Sequence, residues 1–146
     1  MNKEQNDFYK KIRSDIQKWV KKSSRKNTKW AEYLFIAPDL FHLLTKLAID
    51  PDVPSEKKTK LVTAIIYFIS PIDFIPEAIF GPIGYLDDIA LAAYIINDLV
   101  NQIDPQIVQR NWAGDQDILL LLKNIIINTN QMIGSGVWDK IKKRFL

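Results

Sequence analysis

Residues 70–88, SPIDFIPEAIFGPIGYLDD, limit the possible folds more than any other part of the chain, because they interrupt two strongly apolar segments. Pro71 and Pro76 cannot both lie inside one uninterrupted helix, since each removes a backbone donor and clashes with the preceding turn. The two glycines that follow permit a sharp reversal of the chain. The flanking segments, residues 56–69 and 86–102, therefore predict a central helical hairpin.

The remaining sequence has helical periodicity and no strand-length alternation. Pro38 is expected to end one helical stretch and to restart a helix that runs to about Leu47. Asp104 and Pro105 have the residue types of an N-cap and a first helical position, and Asp115 is expected to begin a later helix. These patterns predict an all-α fold, a single compact helical domain of about six or seven helices around the hairpin.

Positive charge is concentrated near the N-terminus. Residues 1–30 hold ten Lys and Arg against three acidic residues, a net of +7, whereas the rest of the chain has a net of −4. Apolar residues at helical spacing predict a basic amphipathic helix within residues 1–28, followed by a helical domain at 29–146 with its core signature at 61–100. A basic helix of this kind predicts an anionic partner or surface, the alternative being an ordinary solvated face. The residues expected to bind an anionic membrane surface are Lys10, Lys11, Lys18, Lys21, Lys22 and Trp19.

The stretch YFISPIDFIPEAIFGPIGYLDDIALAAYII resembles the signature of the YkvA-like family, a bacterial domain family of unknown function. The matching positions include Tyr67, the Ser-Pro-Ile-Asp step at 70–73, and Gly84-Tyr85 before the two aspartates. Phe74 and Glu77 depart mildly from the family pattern. The resemblance implies a helical hairpin in proteins often regarded as membrane-associated, and it implies no catalytic residue, substrate or cofactor.

Four carboxylates in this stretch, Asp73, Glu77, Asp87 and Asp88, have three possible roles. They can cap helices and turns, Asp87 or Asp88 serving a helix that begins near Ile89. They can form a site for Mg²⁺, Ca²⁺ or Mn²⁺, because oxygen ligands suit these cations. They can also act as a general acid and base, although no nucleophile or oxyanion motif accompanies them.

Several function classes are excluded by composition. The chain has no cysteine, which excludes disulfide scaffolds and thiolate metal sites, and His42 is its one histidine, which excludes multi-histidine zinc motifs. His42 lies among leucines and is expected to be a partly buried packing residue. No nucleic-acid fold signature is present, so nucleic acid is not the expected partner, and no small-molecule substrate is implied.

The leading hypothesis is a non-enzymatic helical protein in the cytoplasm that associates peripherally with the inner face of the cell membrane or with an unknown protein. One alternative is an integral membrane hairpin formed by residues 61–80 and 84–103, which would carry carboxylates into lipid. The other is a divalent-metal-binding regulator or metal-dependent enzyme that uses the four carboxylates.

Overall fold

The computed structural model describes residues 2–21, 31–69 and 86–145, and this part of the chain contains α-helices and no strand. The all-α prediction is therefore confirmed. The helices, in chain order, are α1 (Lys3–Lys21), α2 (Ala31–Ile49), α3 (Ser55–Ile69), α4 (Leu86–Val100), α5 (Pro105–Asn111), α6 (Ile118–Ile133) and α7 (Ser135–Phe145).

Helix α4 is the centre of the fold. Every residue from Leu86 to Ala93 is buried, because α4 packs against α2, α3 and α6 on different sides. Its sequence is apolar almost all round, as expected for a helix without a solvent face. Helices α3 and α4 also pack against each other, so the predicted hairpin is present with nearly the expected bounds.

The apolar side of α1 belongs to the same core. Phe8, Ile12 and Ile16 are buried, and α1 packs against α2. The Phe8 ring meets the Phe41 ring edge-on with centroids 4.8 Å apart, and Phe41 meets Phe68 of α3 at 5.5 Å. Edge-to-face pairs of this kind add to the stabilisation from area burial. The stripe that suggested an amphipathic surface helix thus contacts the interior of the protein.

The prediction that Pro38 ends one helix and restarts another is wrong, since α2 continues through it. A proline inside a helix costs ~3 kcal/mol, because it removes one backbone hydrogen bond and crowds the preceding turn. Leu34 and Phe41, one turn before and one turn after Pro38, are both fully buried. Burial of such side chains stabilises by about 1.5–3 kcal/mol each, so the core on both sides holds the helix together.

Helix α6 begins two residues later than predicted, with Asp117 and not Asp115 at its start. The Asp117 carboxylate accepts hydrogen bonds from the backbone N–H groups of Leu119 and Leu120, at 3.0 and 3.3 Å. The Asp104 carboxylate caps α5 in the same way through Gln106 N–H, at 3.0 Å, as predicted. Both aspartates satisfy donors that a helix N-terminus leaves open.

A cluster of polar side chains, Asp50, Asp52, Arg110 and Asn111, joins the turn after α2 to α5 and is called the polar clasp below. Arg110 donates to both carboxylate oxygens of Asp50 at 2.9 Å and to Asp52 at 2.6 Å. Asn111 Nδ2 donates to Asp50 at 2.8 Å, and the Asp52 backbone N–H does so at 2.9 Å. The Asn111 amide, followed by the Asp52 N–H and Arg110, lowers the pKa of Asp50 from 3.8 to about 2 against the opposing effect of burial. The clasp fixes two segments that lie 60 residues apart.

Candidate functional site

The structure describes two of the four carboxylates predicted for a metal site. Asp87 and Asp88 lie in the first turn of α4 and are fully buried, whereas Asp73 and Glu77 lie outside the described residues. Within the described ranges, no three acidic, histidine or cysteine side chains form a group that could hold a metal ion. The four-residue metal site therefore stays a prediction.

Asp87 is held by two hydrogen bonds inside the hairpin. Tyr67 Oη, from α3, donates to Asp87 Oδ2 at 3.0 Å, and the Asp88 backbone N–H donates to Asp87 Oδ1 at 2.9 Å. Helix α4 begins at Leu86, three residues before the expected start near Ile89, so both aspartates are inside the helix and do not precede it. The arrangement links the two helices of the hairpin through a buried polar contact.

The solvent-facing side of α1 carries lysines. Lys10, Lys11 and Lys18 are exposed, on the side of the helix away from Phe8 and Ile12. Lys11 forms an ion pair with Asp15 at 3.3 Å. Of the other residues predicted for an anionic surface, the side chains of Trp19, Lys21 and Lys22 lie outside the described part. The described lysine side chains thus lie on the exposed side of a helix whose other side is buried in the core.

His42 lies on α2 beside α1. Its ring is 6.1 Å from the Tyr9 ring, and Nδ1 is buried without a hydrogen-bond partner among the described residues. Burial and, to a lesser degree, Lys46 lower the pKa of His42. A neutral imidazole at pH 7 is consistent with the packing role predicted for it.

An aliphatic groove of about 460 Å³ lies between the end of α2 and α3, and the first turn of α1 closes one end of it. Ile66 of α3 is 61 % exposed at the lip of this groove. Ile49 is 67 % exposed on the opposite side, and Val62 is also exposed. The sequence feature that could have indicated this groove is the spacing of Val62, Ile66 and Ile69, which forms a second apolar stripe on α3.

The prediction of an inserted hairpin required two membrane-spanning segments. Across the described helices, none has both the length and the apolar character needed to cross a membrane.

A comparison with protein families matches the hairpin region of the chain. Residues 57–94, which contain most of α3 and the start of α4, match the family described as "Protein of unknown function (DUF1232)". Over 109 residues the chain is 28% identical to "Uncharacterized protein ORF9" of Methanothermobacter thermautotrophicus, covering 75% of this chain and 71% of that relative.

Shorter segments match a larger protein. The chain is 55% identical over 29 residues to "E3 ubiquitin-protein ligase RNF170" of Xenopus laevis, and 57% identical over 28 residues to its counterpart in Xenopus tropicalis. These segments cover 20% and 19% of this chain and 11% of each relative. No solved structure matches the chain. These relatives do not bear the YkvA-like name, so what the comparisons support is similarity over residues 57–94 to a family of unknown function.

Proposed function

We propose that this protein is a non-enzymatic helical module of the cytoplasm that associates peripherally with an anionic membrane surface through the lysine face of α1. The observation that carries the proposal is the placement of α1: its apolar residues are buried in the core, so its lysines are held on a fixed surface. Lys10 and Lys18 are both exposed to solvent. Their charge is therefore available to an anionic surface.

The charge of these lysines sets the size of the expected effect on binding. A lysine near an anionic membrane contributes about 1 kcal/mol, and the attraction falls off within a Debye length. Two such lysines change the binding constant by about 30-fold. A segment of fewer than 30 residues also recurs within two longer relatives.

The test is co-sedimentation of the protein with vesicles of phosphatidylglycerol and phosphatidylcholine, compared with phosphatidylcholine alone. We expect binding that requires the anionic lipid and decreases at high salt. The variant Lys10→Gln/Lys18→Gln should bind about 30-fold more weakly.

The matched control is Lys123→Gln/Lys140→Gln, which removes the same net charge from exposed positions on α6 and α7. It should retain binding. Equal loss in both variants would show that net charge alone matters, and binding that ignores lipid charge would refute the proposal.

A further inference from the structure

We propose that the aliphatic groove between α2 and α3 is a second docking surface for the same anionic membrane, with Ile49 and Ile66 entering the acyl region. This inference rests on the proposed function, and it concerns different residues. The groove has a volume of about 460 Å³; its apolar lining is Ala48, Ile49, Val62, Ile65, Ile66 and Ile69, and its polar lining is Asn2, Glu4, Gln5 and Thr45.

The groove is not a by-product of core packing. The buried residues of α3 are Leu61, Ala64, Ile65, Tyr67 and Phe68, and of these Ile65 alone also lines the groove. Val62 and Ile66 lie one turn apart on the groove side, and both remain exposed. An exposed, contiguous aliphatic surface often marks an interaction site, whereas single exposed apolar residues do not.

The charges around the groove point to an anionic occupant. Lys46 precedes Ile49 by three positions on the exposed side of α2, and Lys58 precedes Val62 by four on α3. Residues at these spacings are neighbours on a helix surface. Asp52, at the turn between the two helices, is bound to Arg110. Lysines next to aliphatic side chains match a bilayer, whose acyl chains lie directly beneath phosphate groups.

Glu4 opposes this attraction, since it is exposed at the end of the groove formed by α1. A carboxylate beside anionic lipid is repelled, so neutralising it should strengthen binding. The variant Glu4→Gln therefore gives a prediction of opposite sign: up to about fivefold tighter binding to phosphatidylglycerol vesicles.

The principal experiment compares two variants of the full chain in the same vesicle assay. Ile49→Asn/Ile66→Asn removes both aliphatic groups at the lip of the groove and should weaken binding by about 30-fold. Ile127→Asn is the control, because Ile127 is 77 % exposed on α6, away from the groove. It should bind like the wild type. Both variants alter exposed side chains, so their melting temperatures should stay within about 2 °C of the wild type.

The outcomes separate this inference from the proposed function. If Lys10→Gln/Lys18→Gln loses binding while Ile49→Asn/Ile66→Asn retains it, the α1 proposal stands and the groove inference is overturned. The reverse result supports the groove and refutes attachment through α1. If the wild type does not bind vesicles, both fail. Binding of an acidic amphipathic peptide that depends on Ile66, without vesicle binding, would assign the groove to a protein partner instead.

Discussion

Replacing Asp50 by asparagine tests how much the polar clasp contributes to the stability of the fold. Asn is neutral and resembles the protonated carboxyl group in shape, so the substitution removes the charge while leaving an acceptor for Asn111. The pKa of Asp50, lowered from 3.8 to about 2, corresponds to at most ~2.4 kcal/mol of stability at pH 7. Arg110 is half exposed, so solvent screening reduces this, and we expect a loss of ~1–2 kcal/mol.

The effect depends on pH in a direction fixed by the sign of the shift. A carboxyl group with a lowered pKa in the folded state stabilises the protein above its unfolded-state pKa of 3.8, and this stabilisation is lost as the pH falls through about 2. At pH 7 a loss of this size corresponds to a melting temperature ~3–7 °C below that of the wild type. At pH 2.5 about one third of the difference should remain.

The assay is urea unfolding of wild type and Asp50→Asn at both pH values, followed by circular dichroism. Comparing the two proteins at each pH cancels the titration of every other group that the substitution leaves unchanged. Asp52→Asn is the control, since Asp52 is largely exposed and should contribute less. A difference between wild type and Asp50→Asn that is the same at pH 7 and pH 2.5 would refute the argument from charge.

Three further substitutions test local features of the described structure by urea unfolding at pH 7. Tyr67→Phe removes the donor to the buried Asp87 carboxyl group and should cost ~1–3 kcal/mol; an unchanged stability would show that the contact is dispensable. Gly114→Ala places a methyl group where the Trp112 indole lies. The hydrogen bond from the Trp112 indole to the Gln116 carbonyl should therefore break, and the free energy of unfolding should fall. Asp117→Ala removes the N-cap of α6 and should cost ~1 kcal/mol.

The fold was largely predictable from the sequence, because helix periodicity and the Pro71 to Gly84 interruption are local signals. What could not be predicted depends on tertiary contacts. Pro38 remains inside a helix because helix residues before and after it, Leu34 and Phe41, are buried in the core. The Asp50–Arg110 contact joins residues 60 positions apart, and no local pattern pairs them. Asp117 and Asp115 are equally good caps by residue type, so only the structure could choose between them.

The candidate site was predicted less completely than the fold. The carboxylates of the signature were singled out as candidates, and a metal-binding role for them stays a prediction. The hydrogen bond from Tyr67 to Asp87 was not predicted, since Tyr67 was noted only as part of a family resemblance. Tyr67 and Asp87 are 20 positions apart and meet because the hairpin brings α3 beside α4. The exposure of Ile66 could not be predicted because α3 is apolar on two sides, and hydropathy alone does not indicate which side faces the core.

The position of α1 changes what membrane attachment would require. An apolar stripe can contact either the core or a lipid surface, and Phe8, Ile12 and Ile16 contact the core. Attachment through α1 is therefore electrostatic, and salt should reverse it. Stronger attachment needs another apolar surface, which the groove at Ile49 and Ile66 provides. If binding of the wild type to vesicles persists partly at high salt and is lost in Ile49→Asn/Ile66→Asn, both surfaces contribute to attachment. If high salt releases the wild type completely, the lysines of α1 account for attachment without the groove.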